Sequence, residues 1–159
     1  GLWLSDGATN ILPVPPHRAR DAGPPLTPEQ SEENRRVVHA AWKLHFDHIQ
    51  YSLIRGYYQG WDLHPAQLPT RYAAVYAFFL EGLPAASERL RNFVEKAGQA
   101  TLVGQVFDDA ATGQGLLNYF LRALNCGAIT EEEALAPGLT RKELGMRSFV
   151  NILETRKPR

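Results

Sequence analysis

The densest group of chemically capable side chains lies between Gly60 and Gln67, a segment that also contains Asp62 and His64. A carboxylate, an imidazole and an amide at the end of a strand can orient a polar substrate, because ligands of parallel α/β folds bind at strand ends. The alternative is structural, with Asp62 and His64 holding the turn and capping the segment that follows. The residues alone leave both interpretations open.

Two other short segments carry carboxylates. Asp108 and Asp109 are adjacent, in the segment that begins at Gly104, and Asp6 stands in Ser5-Asp6-Gly7 after the first apolar residues. Adjacent carboxylates on a loop are most often solvated or helix-capping, and Ser-Asp-Gly is also an ordinary tight turn.

Two patterns suggest metal or phosphate chemistry only weakly. His45 and His48 stand three residues apart and could ligate a metal, but no third and fourth ligand appears at matching spacing. Since His45 falls on the apolar face of a predicted helix, we expect a satisfied core histidine. Gly113-Gln114-Gly115 lacks the third glycine and the lysine of a phosphate-binding loop, so it is interpreted as a flexible helix start.

The first half of the chain is expected to contain two strands joined by a long helix. Leu2–Leu4 is typical of a short strand, and the prolines of residues 13–28 indicate an extended loop. Thr27 begins a capping box that starts a helix running to about Arg55, and Trp61–Leu63 predicts the second strand. The buried face of that helix is expected to carry Val38, Trp42, His45, Ile49 and Leu53.

The second half is expected to be mainly helical. One helix is predicted from Pro69 to Gly82 and another from Pro84 to Gly98, since proline starts helices and glycine ends them. Residues 99–112 fit either two short strands or a helix. Later helices are predicted over Leu116–Leu124, from a capping box at Thr130, and from a capping box at Thr140 to about Arg156.

The order strand, helix, strand predicts a βαβ unit and hence a parallel sheet. Two strands cannot form a stable sheet alone, so further strands are expected before residue 1. The opening residue is Gly1 rather than methionine, and it begins an apolar stretch. We therefore expect an α/β fold cut from a longer polypeptide.

The segment Gly60–Leu68 resembles the Gly-Lys-x-x-Ile-His-Pro-x-Gln-Ile signature of the HpcH/HpaI aldolase and citrate lyase beta-subunit family. His64, Pro65 and Gln67 match that signature, and Trp61 replaces its lysine. Two weaker similarities extend the resemblance along the chain. Gly104–Asp108 is similar to a lid segment of these lyases, and Asp6-Gly7 is similar to the Asp-Gly that ends their penultimate strand.

The resemblance implies an α/β fold, with the last two βα units of a (β/α)8 TIM barrel in residues 1–82 and a mainly helical C-terminal lid in residues 83–159. It implies a Mg²⁺-dependent carbon–carbon lyase that acts on a keto acid or an acyl-CoA thioester through an enolate. The family's metal-binding glutamate and aspartate and its substrate-binding arginine are expected upstream of Gly1.

The resemblance also implies roles for individual residues. Asp108 corresponds to the lid aspartate that enters a neighbouring subunit and assists proton transfer, which makes it the catalytic candidate and implies a homo-oligomer with exchanged lids. Asp62, His64, Gln67 and Asp6 are the corresponding substrate-binding candidates at the mouth of the site.

Two other functions remain open. One is phosphoryl or pyruvyl transfer from phosphoenolpyruvate on the same barrel, and the other is a non-catalytic helical interaction module. The 17 basic and 17 acidic residues balance, so nothing attracts a nucleic acid or a membrane surface over long range. The single cysteine, Cys126, cannot form an internal disulfide, so a reducing, cytoplasmic location is expected. No apolar run approaches the ~20 residues of a membrane span.

Overall fold

The computed structural model describes residues 4–19, 21, 23–102 and 110–156, and within them the chain is helical. Its elements in chain order are α1 (Pro28–Ile54), a 3₁₀ turn (Pro65–Gln67), α2 (Leu68–Leu102), α3 (Ala110–Asn125), α4 (Glu131–Leu135), α5 (Arg141–Met146) and α6 (Phe149–Thr155). The only β pairing in the described residues is an isolated parallel bridge between Ser5 and Gln59.

The predicted α/β fold, with the last two strands of a TIM barrel, is wrong, because the described residues contain no β-strand. At the predicted strand Trp61–Leu63 the backbone N–H of Leu63 bonds to a side chain, Oε1 of Gln67, at 2.8 Å, rather than to a neighbouring strand. Trp61 and Leu63 are both more than half exposed, so no sheet packs on either. Of the other predicted strand, only Leu4 is described, and it has no strand pairing.

The long helix α1 confirms the prediction of a helix from Thr27 to about Arg55. The Thr27 hydroxyl accepts a hydrogen bond from the backbone N–H of Gln30 at 3.2 Å, and the Gln30 side chain accepts one from the Thr27 N–H at 3.0 Å. This reciprocal pair satisfies donors that a helix start leaves free. The buried residues of α1 are Ala41, His45, Ile49 and Leu53, so the predicted burial of Trp42 is wrong.

Helix α2 is one helix where the sequence predicts two. Pro84 lies inside it, although proline removes a backbone donor and usually breaks a helix. Gly82 does not end it either: a Cβ at Gly82 would lie 2.7 Å from the Tyr119 hydroxyl, so glycine is needed for close packing. That hydroxyl donates a 2.5 Å hydrogen bond to the Phe79 carbonyl, in the turn before Pro84.

The chain divides into two compact units, which we call the N-terminal unit (Gly1–Phe78) and the C-terminal unit (Phe79–Arg159). The core of the N-terminal unit is small, with Ile49 and Leu53 of α1 against Ala74 of α2. The Gln50 side chain supports this contact by donating a 2.7 Å hydrogen bond to the Ala74 carbonyl.

The C-terminal unit has a larger apolar core. Phe120 and Phe149 are fully buried in it, and a Cβ at Gly113 would lie 2.3 Å from the Phe149 ring. The capping boxes predicted at Thr130 and Thr140 are both present. The single helix predicted from Thr140 to about Arg156 is wrong, since Arg147 takes a left-handed conformation (φ 54°) and ends α5 before α6 starts.

Among the described residues, no helix combines the length and the apolar character that crossing a membrane requires.

Candidate functional site

Gln67, one of the predicted site residues, is fully buried and joins two loops of the N-terminal unit. Its Oε1 accepts hydrogen bonds from the backbone N–H groups of Leu63 at 2.8 Å and His64 at 3.3 Å. Its Nε2 donates to the Thr9 carbonyl at 2.9 Å, across 58 residues of sequence. Gln67 therefore determines where the loop before α2 lies relative to the N-terminal loop.

His64 caps the 3₁₀ turn. Its Nδ1 accepts a 3.1 Å hydrogen bond from the backbone N–H of Ala66, so the ring is oriented by the backbone that it caps. This contact is the turn-capping role that the sequence offered as the structural alternative for His64.

Asp62 is held by Arg71, which stands in the first turns of α2. The Arg71 Nη2 and Nε donate to the Asp62 carboxylate at 3.0 and 3.2 Å, and Nη2 also contacts the Trp61 carbonyl at 3.3 Å. A Cβ at Gly60 would lie 2.4 Å from Nη1 of Arg71, so the glycine leaves room for the guanidinium. The side chains of Asp62 and Arg71 are 13% and 18% exposed, so solvent screens this pair little.

His45 reaches the same carboxylate from α1. Its Nε2 lies 3.0 Å from Asp62 Oδ1, at ion-pair distance, and both ring nitrogens are buried without a hydrogen bond of good geometry. The prediction of a core histidine is confirmed, since the residue is 1% exposed, whereas the expected hydrogen-bond partners are missing. Burial lowers the pKa of His45, and the charge of Arg71 lowers it further against the opposing effect of Asp62, so the imidazole is neutral at pH 7.

Asp6 borders this group from the N-terminal loop. Its backbone N–H donates to the Gln59 carbonyl at 3.0 Å, close in sequence to Asp62, and its Oδ1 is buried without a hydrogen-bond partner. Thr9, in the same loop, lies with its hydroxyl 2.9 Å from Nδ1 of His48. We call these side chains the polar cluster: Asp6, Thr9, His45, His48, Asp62, Gln67 and Arg71.

The structure thus places the four predicted substrate-binding residues, Asp6, Asp62, His64 and Gln67, in the N-terminal unit, where hydrogen bonds connect the segments that carry them. Asp108, the predicted catalytic residue, lies outside the described residues. Sequence reasoning missed Arg71, because nine residues and a 3₁₀ turn separate it from Asp62 and no regular spacing connects them.

No set of metal ligands is found in the polar cluster. Across the described residues there is no group of three or more His, Cys, Asp or Glu side chains that could hold an ion. Asp62, the best placed carboxylate, is already paired with Arg71. Mg²⁺ therefore stays an expectation, and no catalytic step is derived through it.

The fold and the cluster together define a helical domain with a buried polar site in one of its two units. The chain belongs to the family DUF6986, described as a domain of unknown function, whose match covers residues 1–152. No curated protein and no solved structure matches the chain.

Proposed function

We propose that the chain is part of a carbon–carbon lyase of the HpcH/HpaI aldolase and citrate lyase beta-subunit type, acting on a small keto acid or an acyl thioester through an enolate. The observation that carries the proposal is the buried, unsatisfied His45 beside Asp62, in the unit that also contains the His-Pro-x-Gln turn. An unpaired buried polar group costs about 1–3 kcal/mol, and such costs concentrate at functional sites.

Within this proposal the polar cluster shapes the substrate site. Gln67 and His64 fix the loop that carries Asp62, while Asp6 and His45 carry buried polar atoms without hydrogen-bond partners beside that loop. Asp108 acts as the acid/base from a lid exchanged between subunits of a homo-oligomer, as the resemblance implies. Mg²⁺, when bound, would supply charge stabilisation to an enolate, and no set of ligands for it is found among the described residues. The proposed location is the cytoplasm.

A second candidate is the helical interaction module. It is favoured by the exposed large apolar side chains of the N-terminal unit, which include Trp42, Tyr51, Ile54, Trp61 and Tyr72. A surface on which several large apolar side chains are exposed next to one another commonly binds another polypeptide. No observation favours phosphoenolpyruvate-dependent transfer over the lyase, since both reactions need the same enolate chemistry.

Enolate formation provides the test. The full-length protein is incubated with pyruvate and Mg²⁺ in D₂O, and loss of the methyl proton signal is followed by ¹H NMR. We expect exchange that is abolished by EDTA and lowered at least about 100-fold by Asp62→Asn, a loss typical of removing a positioned polar group. The exposed Asp21→Asn is the matched control and should exchange at the wild-type rate.

A negative result in the proton-exchange experiment would refute the lyase proposal. If neither pyruvate nor a panel of small keto acids and acyl-CoA thioesters exchanges protons above the EDTA background, the lyase proposal is wrong and the interaction module replaces it. The lid role has its own test: Asp108→Asn should lower kcat strongly with little change in KM. Wild-type kcat in that variant contradicts the role.

A further inference from the structure

The Asp62 carboxylate lies between two side chains that can both carry a positive charge. Its Oδ1 is 3.0 Å from Nη2 of Arg71 and 3.0 Å from Nε2 of His45. An arginine is protonated throughout the physiological range, whereas an imidazole gains its charge at about pH 6.5 in the absence of other influences. The number of cations beside this one carboxylate therefore depends on whether His45 is protonated.

At neutral pH the carboxylate belongs to Arg71. Burial lowers the pKa of His45, and the charge of Arg71 lowers it further against the opposing effect of Asp62, so the ring is uncharged. Nε and Nη2 of Arg71 donate hydrogen bonds to Asp62, while neither nitrogen of the ring makes a hydrogen bond of good geometry. Protonation would give His45 a buried charge and a second N–H, and Asp62 is the carboxylate at ion-pair distance from it.

The difference in burial decides which cation keeps the carboxylate. The side chain of His45 is 1% exposed and that of Arg71 is 18% exposed. An unpaired charge costs far more in the interior than at the surface, where water solvates it. The guanidinium can turn towards solvent on its long side chain, whereas the ring of His45 is fixed on the buried face of α1. Protonated His45 therefore takes Asp62 from Arg71.

The contacts of Arg71 show which part of the loop before α2 would be released with it. Its Nη2 also donates to the Trp61 carbonyl at 3.3 Å, and its guanidinium occupies the space beside Gly60. The backbone N–H groups of Leu63 and the next residue are held separately by the Gln67 side chain. Loss of the Arg71 contacts therefore loosens residues 60–62 and leaves the 3₁₀ turn in place.

The other titratable side chains of this region come from three elements. His48 stands on α1, and its charge, when it is protonated, opposes protonation of His45. His64, in the loop before α2, uses its Nδ1 to cap the 3₁₀ turn. Asp6, in the N-terminal loop, has one carboxylate oxygen that is buried without a hydrogen-bond partner. Within the described part of the chain His45 is ion-paired with Asp62, so Asp62 is the carboxylate that responds to its protonation.

We propose that His45, Asp62 and Arg71 form a proton-dependent switch: at neutral pH Asp62 pairs with Arg71, and in mild acid protonated His45 takes the carboxylate and releases Arg71 together with residues 60–62. The transition falls below about pH 6.5, the value for an imidazole in water. The switch does not rest on the proposed lyase, because it needs only the contacts of these three side chains. Acidification thereby exposes a guanidinium at the start of α2.

Two-dimensional ¹⁵N NMR of the full-length protein between pH 7.5 and pH 5.0 tests the switch. The Nε–H signal of Arg71 at pH 7.5 should be displaced from the position of a solvated arginine, because it is bonded to Asp62. On acidification this displacement should be lost, with the same midpoint as the change of the His45 ring nitrogens. Different midpoints, or a His45 ring that stays neutral in the folded protein down to pH 5.0, would overturn the proposal.

Two substitutions on α1 separate His45 from other sources of pH dependence. His45→Leu removes the group that binds the proton, so the Arg71 signal should keep its displaced position at pH 5.0. His48→Gln is the matched control: it removes the neighbouring exposed histidine and should keep the wild-type movement of the signal. Movement of the Arg71 signal in His45→Leu, or its loss in both variants alike, would show that His45 does not operate the switch.

Discussion

The two units of the chain contain similar numbers of residues but bury different kinds of side chains. In the described part of the N-terminal unit the buried hydrophobic residues are Ala41, Ile49, Leu53 and Ala74, whereas the C-terminal unit buries many more, among them Leu90, Leu117, Phe120, Phe149 and Ile152. The buried polar residues show the reverse pattern. Thr9, His45, Gln67 and Thr70 belong to the N-terminal unit, and Glu143 is the one buried polar residue in the described part of the C-terminal unit.

This difference indicates a division of roles. Apolar burial stabilises a fold, and the C-terminal unit has ample apolar burial together with paired caps and a paired buried carboxylate. The N-terminal unit keeps His45 and Asp6 unsatisfied in its interior and leaves aromatic residues exposed. Unsatisfied buried polar groups and exposed aromatic residues lower stability, and proteins usually keep them where function requires them. We therefore propose that the activity resides in the N-terminal unit.

The largest expected effect on stability lies in the C-terminal core. Phe120 is fully buried in α3, so Phe120→Ala should lower the free energy of unfolding by about 3–5 kcal/mol through lost burial and a residual cavity. Urea unfolding followed by circular dichroism measures this. Val150→Ala, at a half-exposed position, is the control and should cost less than about 1 kcal/mol. If both variants lost a similarly small free energy of unfolding, this core would not be what stabilises the unit.

The second effect concerns Glu143, which accepts hydrogen bonds from Arg156 and from Thr140. The Arg156 contact is the main cause that lowers the Glu143 pKa to about 2. A carboxylate with a lowered pKa stabilises the fold above pH 4.5, and the stabilisation, on the order of 3 kcal/mol, is lost as the pH falls from 4.5 towards 2. Glu143→Gln should remove most of this acid dependence.

Unfolding titrations between pH 2 and pH 7 compare Glu143→Gln with Glu132→Gln, a control at an exposed position. The control should keep the wild-type acid dependence. An unchanged acid dependence in Glu143→Gln would show that the ion pair with Arg156 does not stabilise the fold.

A smaller loss is expected at Gln67, in the N-terminal unit. Gln67→Met keeps the volume but leaves the N–H of Leu63 and the carbonyl of Thr9 without partners, at a cost of about 2 kcal/mol. Hydrogen exchange should become faster at the Leu63 amide while the amides of α3 keep their protection. Gln59→Met, at an exposed side chain, is the control. Unchanged exchange at Leu63 would refute the linking role of Gln67.

The smallest loss of stability is expected at His45. Because its pKa is lowered in the folded state, the unfolded chain binds more protons below pH 6.5, and the free energy of unfolding falls as the pH drops below that value. His45→Leu removes the titrating group and should flatten this dependence, and at pH 7.5 it should leave the free energy of unfolding unchanged or raise it by up to about 1–3 kcal/mol, because it removes a buried polar group without a hydrogen-bond partner. A large loss of stability at pH 7.5 would indicate that the imidazole has a structural partner.

Local signals in the sequence predicted local structure well. The caps at Thr27, Thr130 and Thr140 depend on residues three apart in the chain, and all three formed. The fold class depended on interpreting two apolar triplets as strands, and no local signal shows whether a strand finds a partner. In Trp61–Leu63 the partner of the backbone is the Gln67 side chain, so the strand interpretation was wrong.

The candidate site was predictable only where its residues are close in sequence. Asp62, His64 and Gln67 stand together in one loop, whereas the contacts of Asp62 with Arg71 and His45 come from two helices and follow no spacing rule. Gly82 and Pro84 led to the wrong prediction of two helices for a similar reason. Gly82 of α2 packs against Tyr119 of α3, and the sequence gives no sign of a contact between residues so far apart in the chain. The role of Asp108 stays a prediction.

The most direct test of the account measures stability and activity together in His45→Leu. If the N-terminal unit buries an unsatisfied histidine for function, this variant at pH 7.5 should keep or exceed the wild-type free energy of unfolding and lose proton exchange of pyruvate in D₂O. Loss of stability together with wild-type exchange would contradict the account, because the histidine would then support the fold and not the chemistry.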